Sequence, residues 1–315
     1  SIRAAVNLVM RAGEDINAAA SELEAGRDLA LIARGDVRLT SLENRTQQRT
    51  HAIIPWRRHN SESVQISQIG SEASAGRKMT VRGQNVEVAG SRVAANGMRI
   101  RAADNILIRS VQNESSRHSS IGRSYSKSKS ITQIPSELNA TLDMFLISRG
   151  DIDIVASDLA SGRAMQLAAG GNIGVLSAEN YQHRDSYRRG SSKRVRRIST
   201  DVAQRAATLT AGTDLSVTAG NDINTVSARM SAGEDLSLRA GNDVNFLAAK
   251  DSSYSYSKVK RKRWYGSKTT VKSRYDETVQ ETMLEAGGGV LVNMRRDGDG
   301  NLLHTRNVGD TVLDA

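Results

Sequence analysis

Two short stretches of the sequence place cationic side chains next to aromatic ones. One contains Arg188, Arg189, Lys193, Arg194, Arg196 and Arg197, and the other contains Lys258, Lys260, Arg261, Lys262 and Arg263 followed by Trp264. Guanidinium and ammonium groups bind the oxygens of phosphate, sulfate and carboxylate groups, and an aromatic ring adds a stacking surface. These residues are therefore candidate contacts to an anionic surface such as lipopolysaccharide, a sulfated glycan or acidic lipid.

Three other uses of the basic stretches are compatible with their charge. A solvated tip that keeps the protein soluble needs only the charge. Nucleic acid would also be attracted, but no recognisable nucleic-acid-reading module is present, which disfavours it. Insertion of strands into a membrane is disfavoured because the stretches lack an apolar face.

The remaining residues that can do chemistry favour a scaffold over an enzyme. The absence of cysteine excludes disulfides, thiol catalysis and cysteine-ligated metal sites, and the five histidines are too scattered for a metal cluster. Asp297 begins a sequence like a calcium loop, but Leu302 and Val308 replace the required Gly and Glu. Gly287-Gly288-Gly289 lacks the spacing and lysine of a P-loop. We therefore predict no enzyme activity, no cofactor and no metal.

Two copies of an integrin-type tripeptide fall at a structural position. Arg34-Gly35-Asp36 and Arg149-Gly150-Asp151 stand where another copy of a repeat reads Gly241-Asn242-Asp243. Because the aspartate recurs without the arginine, a turn explains it better than integrin binding.

A repeat of about 69 residues organises the chain and must position these groups. Residues 12–44 align without a gap with 148–180 and with 219–251, and 82–113 align after one deletion. Within each copy, short stretches of alternating apolar and polar residues end in Gly and Asp or Asn every 21 residues, which predicts strands and tight corners. The predicted corner residues, each expected to cap its own turn, are Asp15, Asp36, Asn85, Asn105, Asp151, Asn172, Asp222 and Asp243.

Stacked coils of this kind predict an all-β fold, a parallel β-helix of about nine coils. Only 3% of the residues are aromatic, so the interior must be thin and aliphatic. Stacked corner carboxylates could mimic the acid pairs of β-helical polysaccharide lyases. Their regular occurrence, one in each coil, favours a scaffold instead.

Four windows interrupt the coil pattern: residues 42–73, 111–140, 181–206 and 251–281. They carry a net charge of +13 against +10 for the whole chain, and they contain all seven Tyr and both Trp. We predict that each is a β-hairpin projecting from the same corner of every second coil. Two coils rise about 9.6 Å, the width of two hairpin arms, so neighbouring hairpins are expected to pair into one antiparallel sheet.

The repeat, with its Ala-Gly-Asn-Asp-Ile/Val turns and its Ser/Lys/Tyr-rich insertions, resembles the haemagglutinin repeat of filamentous haemagglutinin-type exoproteins, including contact-dependent growth-inhibition effectors. The resemblance covers residues 1–292, in units of about 12–81, 82–147, 148–218 and 219–281 with a partial copy at 282–292; residues 293–315 diverge.

That family implies a large, right-handed β-helical filament, secreted or held at the bacterial cell surface. Its implied partners are an outer-membrane secretion protein, flanking β-helix coils and a target-cell envelope. Its implied roles are adhesion, or delivery of a C-terminal toxin across a target cell's outer membrane. The family's Asn-Pro secretion motifs and its Val-Glu-Asn-Asn pretoxin mark do not occur in this sequence, so the resemblance does not predict secretion or killing by this chain alone. Both ends of the predicted rod would be open sheet edges, so we expect a segment of a longer protein.

Overall fold

The computed structural model describes residues 1–54, 57–294, 306–308 and 312–314. In these residues every regular element is a β-strand, and no helix long and apolar enough to cross a membrane occurs among them. Trp56, the calcium-like sequence after Asp297 and most of the divergent segment 293–315 lie outside the described residues.

The strands wind around a rod with three faces. In one turn of the rod, here called a rung, the chain crosses Glu22–Ala25 on face 1, Asp28–Ala33 on face 2 and Val37–Thr40 on face 3. Leu23 pairs in parallel with Ile2, which lies 21 residues earlier, and Val37 pairs likewise with Ile16. These pairings confirm the predicted parallel β-helix.

The strands of each face are as follows. Face 1 contains Ile2–Ala4, Glu22–Ala25, Glu137–Ala140, Asp158–Ser161, Thr208–Ala211, Arg229–Ala232, Met283–Ala286 and Val312–Asp314. Face 2 contains Asn7–Ala12, Asp28–Ala33, Met144–Ser148, Met165–Ala169, Leu215–Ala219, Leu236–Ala240 and Val290–Met294. Two longer strands cross both of these faces without a break: Glu72–Gly83 and Arg92–Ala102. Face 3 contains Ile16–Ala19, Val37–Thr40, Val86–Ala89, Ile106–Arg109, Ile152–Val155, Ile173–Leu176, Ile223–Val226, Val244–Leu247 and Arg306–Val308.

The core is a set of aliphatic columns that run along the rod. Because side chains alternate along a strand, every second residue points inward and lies over its partner in the next rung. One column on face 2 consists of Leu29, Met79, Met98, Met144, Met165, Leu215 and Leu236, all at most 1% exposed. Each such side chain contributes about 1.5–3 kcal/mol by leaving water. The expected thin aliphatic interior is thus present, and Phe246 is the one buried aromatic core residue in the described part of the chain.

The eight predicted corner residues form one line between faces 2 and 3. A side-chain oxygen of each of the first seven, from Asp15 to Asp222, accepts a hydrogen bond from the backbone N–H of the corner residue in the next rung, at 2.7–3.2 Å. The prediction that each caps its own turn is therefore wrong. The carboxylate or carboxamide reaches the next rung because equivalent corners lie one strand spacing apart, about 4.8 Å.

The corner between faces 3 and 1 alternates between two constructions. In every second rung a single residue in the left-handed region turns the chain: Ala20, Gly90, Ala156 and Ser227, with φ of 45–55°. In the intervening rungs a hairpin leaves the rod at this corner. The four hairpins, numbered 1 to 4, consist of Leu42–Ile54 with Arg57–Ile69, Val111–Ile121 with Ser124–Ile134, Ala178–Arg189 with Lys193–Arg205, and Ala249–Arg263 with Gly266–Gln280.

The four hairpins pair side by side in one antiparallel sheet of eight strands, here called the hairpin sheet. Hairpin 1 pairs with hairpin 2, hairpin 2 with hairpin 3, and hairpin 3 with hairpin 4. This confirms the predicted arm-to-arm pairing.

A repeated set of polar contacts joins the hairpins at their bases, and each set centres on a junction glutamine. The Gln133 Oε1 atom accepts a hydrogen bond from Ser110 at 2.9 Å, and its Nε2 donates to the Glu179 carbonyl at 3.0 Å. The Gln133 backbone N–H donates to Asn180 Oδ1 of the next hairpin at 2.7 Å. Gln68 and Gln204 make the same contacts at the other two junctions. Each hairpin is thus fixed to its neighbour as well as to the rod.

Candidate anion-binding interface on the hairpin sheet

The register of the hairpin sheet gives its two faces different chemistry. Six tyrosines project from the same face, here called the tyrosine face: Tyr125, Tyr181, Tyr187, Tyr254, Tyr256 and Tyr275. Tyr125 and Tyr187 lie directly opposite each other on neighbouring strands, with ring centroids 5.9 Å apart. The other face, here called the serine face, carries rows such as Ser119–Ser126–Ser186–Arg197. The tyrosines of three hairpins thus share one face, an arrangement that depends on the register between strands.

The structure divides the predicted cations between these faces. Arg189, Arg194, Arg196, Lys258, Lys260 and Lys262 belong to the tyrosine face, whereas Arg188, Lys193, Arg197, Arg261 and Arg263 belong to the serine face. All of them are exposed except Arg194, which is half-buried. Neither stretch therefore presents all of its cations on one face, because adjacent residues of a strand point in opposite directions.

Cations from different hairpins come together instead in two rows near the tips. On the tyrosine face, Arg189 lies opposite Arg194, which lies opposite Lys260. On the serine face, Lys193 lies opposite Arg261, which lies opposite Lys268. Lys268 was not among the predicted contacts, and only the pairing of Arg261 with Lys268 across hairpin 4 reveals it.

These rows contain no counter-charge. Among the described residues, no carboxylate lies within 4.0 Å of the cationic groups of either row. Like charges directly opposite each other on neighbouring strands destabilise a sheet. The cationic side chains within each row therefore repel one another, and an anion bound between them would relieve that repulsion.

Three predicted contacts have other partners. Arg196 forms an ion pair with Asp185 at 3.2 Å, and the hydrogen bond with that carboxylate raises the arginine's pKa. Trp264 is 96% exposed at the tip of hairpin 4, where its ring meets the Tyr265 ring edge to face at a centroid distance of 5.1 Å. Arg263 Nη1 donates a hydrogen bond to the Tyr265 hydroxyl at 2.7 Å. This tip presents aromatic surface and a cation together.

A groove of about 560 Å³ lies between the tips of hairpins 2 and 3. Its lining includes Ser119, Ser126 and Ser186 together with Arg188, Lys193 and Arg197. The backbone N–H of Arg189 donates to Ser124 Oγ at 2.9 Å and joins the two tips beside it. The described residues contain no group of three or more His, Cys, Asp or Glu side chains that could hold a metal ion.

The chain was compared with protein families, curated proteins and solved structures. The family model described as "Hemagglutinin repeat" matches four times, over residues 1–53, 56–124, 119–201 and 189–270. No curated protein and no solved structure gives a significant match. The four matches cover most of the rod and the hairpin sheet, and such repeats are typical of secreted or cell-surface exoproteins. The chain belongs to the haemagglutinin-repeat family and is a segment of a filamentous haemagglutinin-like exoprotein.

Proposed function

We propose that this chain is a non-enzymatic filament segment whose hairpin sheet binds anionic surfaces, such as lipopolysaccharide, sulfated glycan or acidic lipid. The observation that carries the proposal is the pair of uncompensated rows, Arg189–Arg194–Lys260 and Lys193–Arg261–Lys268. Solubility alone does not require cations to be grouped without carboxylates. Cations interspersed with carboxylates, as at the Lys129–Glu114 pair, would keep a hairpin equally soluble.

The rod supports the non-enzymatic part of the proposal. Its corner carboxylates from Asp15 to Asp222 are used by the backbone of the next rung, as at Asp151, whose Oδ1 accepts the Asn172 N–H at 2.7 Å. A catalytic pair would need carboxylates that are free to exchange protons with a substrate. Delivery of a C-terminal toxin and export through an outer-membrane partner stay predictions from the family resemblance.

Heparin-affinity elution and sedimentation with lipopolysaccharide test the proposal. One variant, Arg189→Gln with Arg194→Gln and Lys260→Gln, removes the row on the tyrosine face. A second, Lys193→Gln with Arg261→Gln and Lys268→Gln, removes the row on the serine face. We expect at least one of them to elute at markedly lower salt, because exposed charge interactions are screened by ions.

The matched control removes three cations that are already ion-paired on the same sheet: Arg49→Gln, Lys129→Gln and Arg274→Gln. It changes the net charge by the same amount and should elute close to the wild type. Equal losses in the control and the row variants would show that only net charge matters. Absence of wild-type binding at physiological salt would overturn the proposal itself.

A further inference from the structure

The serine face around the groove is cationic over three consecutive rows of the hairpin sheet. The rows through Arg117 and Arg184, through Arg197, and through Arg188 contain no carboxylate on any strand that they cross. Arg188, Lys193 and Arg197 line the groove, and none of the three forms an ion pair with a described residue. The groove thus lies in a part of this face whose positive charge is not balanced by carboxylates.

The shape of the groove follows from the sizes of its side chains. Ser126 and Ser186 lie opposite each other on the neighbouring arms of hairpins 2 and 3 and provide a low floor. Ile121 and Val195 contribute apolar surface, while the arginines are long enough to form walls. The hydrogen bond from Arg189 N–H to Ser124 Oγ fixes one hairpin tip to the other. The floor of the groove is therefore held by backbone pairing, so the cost of ordering on binding falls mainly on the arginine side chains.

Hydroxyls, small apolar surfaces and unpaired guanidinium groups match the chemistry of a charged sugar. Serine hydroxyls both donate and accept hydrogen bonds, as sugar hydroxyls do. Guanidinium groups bind the oxygens of sulfate and carboxylate in a bidentate manner. An apolar side chain can cover the C–H face of a sugar ring, whereas an inorganic anion makes no favourable contact with an apolar surface.

We propose that this groove is a binding site for a short sulfated or carboxylated saccharide, with Arg197 and Arg188 contacting the anionic group and Ser126 and Ser186 contacting ring hydroxyls. This inference rests on the proposed anion-binding function but assigns contacts to four residues outside the two tip rows; Lys193 is common to the groove lining and the row on the serine face. The rows near the tips would hold a long polyanion by charge alone, whereas the groove would recognise a unit of defined size.

The test is calorimetric titration of the full chain with a sulfated heparin tetrasaccharide, with its desulfated counterpart and with inorganic sulfate. We expect the sulfated tetrasaccharide to bind at one site and the other two to bind at least 10-fold more weakly. Arg197→Ala should weaken it by about 10-fold or more, because it removes a charge-assisted hydrogen bond. The pair Ser126→Ala with Ser186→Ala should weaken it by about 10-fold, because it removes two neutral hydrogen bonds.

The control is Lys129→Gln, which removes one ion-paired cation from the opposite face of hairpin 2 and should leave tetrasaccharide affinity within 2-fold. If the tetrasaccharide does not bind, or binds independently of Arg197, while polymeric heparin still binds through the tip rows, the groove inference is wrong and the proposed function stands. If neither ligand binds, both are wrong. If inorganic sulfate binds as tightly as the tetrasaccharide, the groove does not recognise a sugar. Thermal unfolding of each variant separates loss of the groove from loss of the fold.

Discussion

The stacking of the rungs makes a sharp prediction at the corner between faces 1 and 2. Gly212 lies there against Gly162 of the preceding rung, and its N–H donates to Ser161 O at 2.9 Å. A Cβ added to Gly212 would lie 2.2 Å from Gly162 O and 2.6 Å from its carbonyl carbon, whereas ordinary contact begins at 3.4 Å. Both obstructing atoms belong to the backbone, so no side chain can rotate away.

Gly212→Ala must therefore separate the two rungs by about 1 Å or break the hydrogen bond between them. Overpacking of this kind costs about 1–3 kcal/mol, and a lost hydrogen bond adds about 1 kcal/mol. We expect the free energy of unfolding to fall by about 2–4 kcal/mol. Urea unfolding followed by circular dichroism measures the loss as a lower midpoint at unchanged slope.

Gly97 provides the matched control because it lies at the same corner, where an added Cβ would have no neighbour within 4 Å. Gly97→Ala should change the free energy of unfolding by less than about 0.5 kcal/mol, or raise it slightly by restricting the unfolded chain. Equal destabilisation by the two substitutions, or a Gly212→Ala variant as stable as the wild type, would refute the account of rung spacing.

Two further predictions concern the corners and the junctions. The hydrogen bond from Asp36 N–H, with a smaller effect of Arg38, holds the pKa of Asp15 below its ordinary value of 3.8. A carboxylate whose pKa is lower in the folded than in the unfolded protein stabilises the fold above the unfolded pKa, and this stabilisation is lost as the pH falls through the folded pKa. Asn at position 15 does not titrate. The urea midpoint of Asp15→Asn should therefore decrease less than that of the wild type as the pH falls below 3.8. Gln133→Ala removes the hydrogen bonds with Ser110 and Glu179 and leaves the buried Ser110 hydroxyl unpaired, at a cost of about 1–3 kcal/mol. Faster amide exchange in hairpins 2 and 3 would report that loss, and Gln65→Ala, which removes an exposed glutamine of the same sheet, should leave exchange unchanged.

Repetition made the fold predictable. The 21-residue spacing of corners such as Asp15 and Asp36 predicts stacked strands, and the two-coil spacing of the windows predicts that hairpin arms pair. Both inferences depend only on the number of residues between equivalent positions, which is read directly from the sequence.

The binding surface was less predictable because it depends on register between distant strands. Arg196 and Arg197 are neighbours in sequence but lie on opposite faces of the hairpin sheet, and Lys268 joins a row only through its pairing with Arg261. A shift of one residue in any pairing would move each side chain to the other face. The junction glutamines were missed for the same reason, since Gln133 and Asn180 are 47 residues apart.

The hairpin sheet also affects how the filament responds to mechanical load. Hydrogen bonds between rungs and between hairpins both run along the rod axis, because both sets of strands stack in that direction. Ten residue pairs join hairpins 3 and 4, whereas four or five join successive strands on each face of the rod. The hairpins leave the corner between faces 3 and 1, so the reinforcement is on one side. Tension along the rod would then be carried mainly by the side with the hairpin sheet. The hydrogen bonds between successive strands of face 2, on the opposite side, would break first when the rod bends.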